Sequence, residues 1–202
     1  GSEVNKQKCG TFGDFGIFSF NGNKIITTSG GGALICNSKE EKEKAIFLAT
    51  QARDEAPHYE HSNVGYNYRM SNVLAGIGRG QMEVLQERVQ SRRKNYNYYY
   101  EALKHKYEFL EEPEGYFSNR WLSCIITEST KTREKIRLAL QEQNIESRPL
   151  WKPMHLQPIF QKYPRYSNGI SENLFEKGLC LPSGSNSTEK ELNSIIEILK
   201  RF

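Results

Sequence analysis

The sequence predicts an α/β chain in three parts. Residues 1–70 read as the distal part of a larger sheet-bearing domain, 71–106 as a long connecting helix, and 107–202 as a small α+β carboxy-terminal domain. Three observations predict it. Between Cys9 and Asn37, glycine-rich turns alternate with two short apolar runs, Ile17 to Phe20 and Ala33 to Cys36, which have the length of buried strands. From Ser71 towards Lys106, Gly78, Met82, Leu85, Val89, Tyr96, Tyr99 and Leu103 recur at steps of three, four or seven, the stripe of one buried helical face. Beyond residue 107, strand-like and helix-like segments alternate.

Taken in order, Ser38 is placed to N-cap a charged helix running to about Gln51. Pro57 and the stretch His58-Tyr59-Glu60-His61 then break regularity and read as a loop. In the long helix, Arg88, Arg92, Arg93 and Lys94 lie beside Tyr96, Tyr98, Tyr99 and Tyr100, a mixture able to hold single-stranded nucleic acid. Helical spacing divides both sets between the buried stripe and the wet face, which favours a structural role and no nucleic acid. Trp121 to Thr127 reads as a strand, Thr130 to Asn144 as a helix with Ile136 and Leu140 inward, and Gly178 to Leu181 as a further strand. Thr188-Glu189-Lys190-Glu191 has the capping-box form, and Leu192, Ile195, Ile196 and Leu199 repeat on one face after it. There is no internal repeat.

Composition bounds the function without choosing it. The 202 residues are 37% hydrophobic and 26% charged, a globular profile long enough for a substantial core. The net charge of +4 is a mild excess spread along the chain and implies no nucleic-acid partner by itself. Cys9, Cys36, Cys124 and Cys180 lack the paired spacing of zinc or redox motifs, so they read as free thiols in a reducing cytosol. No apolar run approaches the roughly 20 residues that span a bilayer, and no basic-then-apolar leader opens the sequence; a cytoplasmic protein is expected.

The chemistry centres on Lys24. It follows Phe18-Ser19-Phe20-Asn21-Gly22-Asn23 and precedes Ile25-Ile26-Thr27-Thr28-Ser29-Gly30-Gly31-Gly32, so one amine follows an apolar strand among small hydroxyl and glycine residues. A lysine that condenses with an aldehyde needs such a setting, and glycines let backbone approach a flat cofactor. The triple glycine is not a nucleotide-binding P-loop, because no Gly-Lys-Ser or Gly-Lys-Thr follows it.

Further segments give this lysine a context. Gly10-Thr11-Phe12-Gly13-Asp14-Phe15-Gly16, the Lys24 stretch, Gly65-Tyr66-Asn67-Tyr68-Arg69-Met70-Ser71 and Arg148-Pro149-Leu150-Trp151-Lys152-Pro153-Met154-His155 occur in this order. Together they resemble the DegT/StrS family of pyridoxal-phosphate sugar aminotransferases over essentially the whole chain, and within it the enzymes acting on nucleotide-linked 4-keto sugars. The resemblance implies a partial fold type I pyridoxal-phosphate transferase, the cofactor pyridoxal 5'-phosphate, and transamination to a 4-amino sugar for surface glycans, with glutamate as the expected donor. It implies that Lys24 is the Schiff-base lysine, that Ser19 holds the cofactor phosphate, and that Asn67 reaches the neighbouring subunit's cofactor in a homodimer with shared active sites. Arg69 and Tyr66 would support that crossing loop, and His58, Trp151 and His155 would line the sugar-nucleotide pocket. Lys24 itself argues against the family's dehydratase branch, in which histidine replaces the lysine.

Taken alone, each residue also has a plainer reading. Ser19 could satisfy backbone groups, Asn67 could cap or turn the chain, Trp151 could simply pack, and His58, His61 and His155 could be ordinary surface or packing residues. The pattern is also incomplete. The family's upstream phosphate loop, stacking aromatic and acidic partner of the ring nitrogen have no match here, and Asp14 lies too close to the lysine strand to stand for the last. The expectation is a carboxy-terminal portion that is inactive alone and whose strands 17–20 and 33–36 expose edges prone to association.

Overall fold

The computed structural model describes residues 1–202. In chain order its elements are β1 (Glu3–Val4), β2 (Gln7–Lys8), β3 (Phe15–Ser19), β4 (Gly32–Cys36), α1 (Lys39–Ala49), α2 (Asn72–Glu83), α3 (Leu85–Leu103), β5 (Glu108–Phe109), β6 (Tyr116–Phe117), β7 (Ser123–Ile126), α4 (Thr130–Glu142), β8 (Arg148–Pro149), α5 (Ile170–Lys177), β9 (Gly178–Leu181) and α6 (Glu189–Leu199). Two 3-10 turns, Met154–Leu156 and Pro158–Phe160, lie between β8 and α5. The chain packs as two compact units, one of residues 1–88 with 114–118 and the other of 89–113 with 119–202, so α3 runs through both.

In the first unit the two apolar runs form an antiparallel hairpin in which Ile17 faces Leu34 and Ser19 faces Gly32. The burial read from these two apolar runs is not met: Phe15, Ile17 and Leu34 are exposed, because a two-stranded sheet leaves its apolar side chains uncovered. A second small sheet, ordered β2-β1-β6, stands beside it in sequence. Ser38 caps α1 through a complete capping box: its side chain accepts from the Glu41 amide at 3.1 Å while the Glu41 carboxylate accepts from the Ser38 amide at 3.1 Å. The chain after α1 returns antiparallel to its end, with Tyr66 N donating to Leu48 O at 2.8 Å and Tyr68 N to Ala49 O at 3.0 Å.

The connecting helix is two helices, not one. Ser71 N-caps α2 by accepting from the Leu74 amide at 3.3 Å, but the helical ladder is interrupted at Val84, which takes φ −103° and ψ 9°. Gly76, Gly78 and Gly80 give α2 low helix propensity, and the β-branched Val84 sits in the bridge region between the two helices. Of the predicted stripe, Val89, Tyr96, Tyr99 and Leu103 are buried; Met82, upstream of the break, is exposed.

The second unit holds a four-stranded sheet in the order β5-β7-β9-β8, every pairing antiparallel. On one face Ile125, Leu179 and Leu181 pack with Tyr99 and Leu103 of α3, Ile136 and Leu140 of α4, and Leu192, Ile195, Ile196 and Leu199 of α6. The helical faces read from sequence are therefore the core. Thr188 and Glu191 form the capping box that starts α6, with the Glu191 carboxylate accepting from the Thr188 amide at 2.8 Å. No helix is long and apolar enough to cross a membrane.

Candidate active site

Lys24 lies in the loop of residues 20–31 that joins β3 to β4. Its amide donates to Asn21 O at 3.1 Å, closing a turn over Gly22 and Asn23 that carries the lysine at its exit. The loop then doubles back on its own root. Phe20 O collects the Thr28 amide at 2.9 Å and Thr27 Oγ1 at 3.1 Å, while Phe20 N donates to Gly31 O at 3.0 Å and adds a rung to the hairpin. Ile26 and Thr28 are buried and hold the returning limb down.

Helix α2 braces the same loop. Gln81 Oε1 accepts from the Thr27 amide at 3.3 Å, and a side chain at Gly78 would begin 3.0 Å from Thr28 Cγ2, so the helix approaches here through a glycine. Gly31 completes the return with φ +89°, a conformation that glycine adopts without the penalty of a Cβ. Ser19, the last residue of β3, is exposed at the mouth, and its Oγ lies 3.5 Å from the Asn21 amide as acceptor. Ser19 thus ends the strand from which the braced loop carrying Lys24 departs.

The other residues singled out in the first unit lie on different segments. Asn67 is exposed and forms an isolated antiparallel bridge with Thr50 at the end of α1. Tyr66 and Tyr68 flank it with rings stacked 5.1 Å apart. His58 is exposed, its Nε2 3.3 Å from the equally exposed Glu60 carboxylate. His61 Nδ1 lies 2.9 Å from Gln51 O.

In the second unit, Trp151 is exposed and tilted against Trp121, centroids 5.7 Å apart. His155 is different: it is half-buried in the first 3-10 turn, with Nε2 2.7 Å from Glu172 Oε1. The Glu172 carboxylate also accepts from Ser167 Oγ at 2.5 Å and Ser171 Oγ at 2.9 Å. These bonds, that from Ser167 foremost, hold its pKa down to about 2. Glu172 and Gln81 were not foreseen from the sequence; each is an ordinary polar residue on a helix, and only the fold shows what it reaches.

The basic and tyrosine-rich part of α3 is spent on internal partners. Arg92 donates to Trp121 O at 2.5 Å, Arg93 forks onto Glu112 at 2.7 and 2.9 Å, and the Arg120 guanidinium lies 3.7 Å from the Tyr96 ring centre. Tyr96 and Tyr99 are buried and donate to Leu110 O at 2.8 Å and Pro182 O at 3.0 Å. Arg92, Arg93, Tyr96 and Tyr99 thus take the structural role that the helical spacing favours.

The chain belongs to the DegT/DnrJ/EryC1/StrS aminotransferase family, which it matches over residues 1–200. It is 51% identical over 205 residues to EpsN of Bacillus subtilis, a protein named provisionally as a pyridoxal phosphate-dependent aminotransferase, covering 98% of this chain and 53% of that protein. It is 32% identical over 203 residues to GDP-perosamine synthase of Escherichia coli O157:H7, covering 100% of this chain and 55% of that enzyme. Among solved structures it superposes on the aminotransferase TlmJ of Streptoalloteichus hindustanus with a TM-score of 0.91 at 25% identity, over 99% of this chain and 55% of the other. A family aminotransferase of Brucella abortus gives 0.88 at 26% identity, over 100% and 54%. The chain spans about half the length of the curated relatives it matches.

Proposed function

We propose that this chain supplies the lysine-bearing half of a pyridoxal-phosphate-dependent aminotransferase that converts a nucleotide-linked 4-keto sugar to its 4-amino form for surface polysaccharide, in the cytoplasm. The observation that carries the proposal is the braced loop, which sets Lys24 at the exit of a tight turn and Ser19 at the mouth. The similarity to EpsN and to GDP-perosamine synthase supports the cofactor and the sugar-nucleotide substrate class.

The residues present fit the cofactor. An aldehyde needs an amine, and a phosphate needs donors; the loop offers Lys24 for the first and the Ser19 hydroxyl for the second, on a backbone thinned by Gly30, Gly31 and Gly32. When bound, pyridoxal phosphate supplies an electron-poor ring that takes up the electron pair released as a C–H bond beside the amino nitrogen breaks. Lys24 would do two jobs there: its amine would hold the cofactor aldehyde, and when freed by an amino donor such as glutamate it would carry a proton at Nζ to and from the reacting carbon. Ser19 would orient the cofactor by donating Oγ–H to its phosphate. Asn67, on its exposed bridge, would donate its side-chain amide to the phosphate of a second subunit's cofactor in a homodimer, with Tyr66 and Arg69 in the same segment. His58, Trp151 and His155 would contact the sugar nucleotide.

The experiment is reductive labelling. Incubated with pyridoxal phosphate and then borohydride, the chain should carry the pyridoxyl group on Lys24 by peptide mapping, and Lys24→Ala should lose that label while keeping its circular dichroism spectrum. Labelling spread evenly over surface lysines, unchanged in Lys24→Ala, would refute the assignment. Because the chain spans about half the length of the relatives it matches, labelling without turnover of glutamate is the expected result; Lys24-dependent turnover by this chain alone would overturn that part.

A further inference from the structure

We infer that Cys124 and Cys180 form an oxidation site, a cross-strand dithiol that closes to a disulfide when a small-molecule disulfide is supplied. The two are separated by most of the second unit in sequence, yet β7 and β9 set them directly opposite in register, with Sγ atoms 3.7 Å apart. Opposed residues in an antiparallel pair have Cα atoms roughly 4.5–5.5 Å apart, within the roughly 4.4–6.8 Å that a disulfide spans. The strands therefore need no change of register; the sulfurs approach by rotation about the side chains and a small closure of the pair.

The surroundings suit the chemistry. Ile125, Leu179 and Leu181 point into the core, so the alternating Cys124 and Cys180 lie on the opposite face of the sheet. Cys124 is half-buried and Cys180 buried, which makes Cys124 the sulfur that an oxidant reaches first. The Cys124 thiol donates towards Cys180 Sγ, and Arg148 of β8 pairs in register with Cys180 on its other side. That hydrogen bond first, and the Arg148 charge with it, favour the thiolate at Cys180, while Cys124 is pushed the other way.

The step balances with oxidised glutathione as the oxidant. Cys124, the sulfur within reach, passes its proton along its hydrogen bond to Cys180 and attacks one sulfur of the small disulfide, forming a mixed disulfide and releasing one glutathione thiolate, which takes that proton from Cys180. The Cys180 thiolate then attacks the Cys124 sulfur, forming the protein S–S bond and expelling the second glutathione thiolate, which takes up a proton. Two protein thiols lose two electrons and two protons; one glutathione disulfide gains them as two thiols. The bond closes a loop containing α4, β8, both 3-10 turns and α5, the stretch that carries Trp151 and His155.

The test uses the full chain carrying Cys9→Ser and Cys36→Ser, so that only this pair remains, treated with oxidised glutathione and quenched with an alkylating agent. Intact mass should fall by two hydrogens with no alkylation, peptide mapping should link residues 124 and 180, and the melting temperature should rise by on the order of 10 °C, reverting with dithiothreitol. Adding Cys180→Ala to that background should leave a stable glutathione adduct on Cys124. Both thiols staying alkylatable in the folded Cys9→Ser/Cys36→Ser chain, or a persistent adduct on Cys124 with Cys180 present, would overturn the inference.

Discussion

The three consecutive glycines behind Lys24 have separable jobs, and alanine at each should give three different answers. At Gly30 a Cβ would meet nothing within 4 Å, and its backbone lies outside the left-handed region. Gly30→Ala should therefore be neutral or stabilise by about 0.4–1 kcal/mol through the unfolded chain. At Gly31 the nearest atom, Met70 Cε at 2.7 Å, is the end of a flexible side chain and can move, but φ is +89°, so the cost is conformational, about 1–2 kcal/mol. At Gly32 a Cβ would stand 2.4 Å from Phe18 O, a backbone atom of the paired strand. That clash is relieved only by parting β3 from β4 at the Ser19–Gly32 pair, at roughly 1–3 kcal/mol, and it displaces the Ser19 hydroxyl. Thermal melts convert these to shifts of about 2–4 °C per kcal/mol for a chain of this size. Pyridoxyl labelling of Lys24 should survive Gly30→Ala and drop most in Gly32→Ala. If Gly30→Ala destabilises and impairs labelling as much as Gly32→Ala, the assignment of the loop's shape to these contacts is wrong.

Two predictions concern pH. The Glu172 carboxylate is held at about 2, chiefly by Ser167, so its contribution is complete above the unfolded carboxylate range near 4 and is lost as pH falls from about 4 to 2; acid melts of Glu172→Gln should be flatter there than those of the parent. Burial pushes the Tyr107 hydroxyl, which donates to Leu199 O at 2.7 Å, up to about 12. The neutral phenol is the favoured folded form, so stability should be intact below about pH 10 and fall between 10 and 12, and Tyr107→Phe should lose that alkaline component in melts across the range.

The local layer of this fold was legible in the sequence. Ser38 and Thr188 each stand three residues ahead of a glutamate, a spacing that encodes a helix start whatever the tertiary context, and both capping boxes form. The stripe Val89, Tyr96, Tyr99 and Leu103 follows from helical geometry alone, and all four are buried, Tyr99 and Leu103 in the core of the second unit. The break at Val84 was hidden because apolar residues recur at helical spacing in the sequence on both sides of it; periodicity does not report whether the ladder is continuous, and upstream of the break Met82 of the stripe is exposed. The site was legible in part. Lys24 stands five positions after Ser19, so their placement at the end of one strand and in the loop that follows it was available locally, whereas Gln81 on the Thr27 amide and Glu172 on His155 depend on where helices come to rest. The Cys124 and Cys180 pairing was invisible for the same reason: spacing rules detect close thiols, and strand register brings distant ones together.

The bond from the Thr27 amide to Gln81 bears on the order in which the site is made. The hairpin can close by itself, since β3 and β4 are near neighbours in the chain, but the limb leading away from Lys24 finds its brace only when α2, over fifty positions further on, has docked. Hydrogen exchange at Thr27 should accordingly report docking of the helix rather than closure of the hairpin, and a nascent chain would hold its strands well before its lysine had a fixed address.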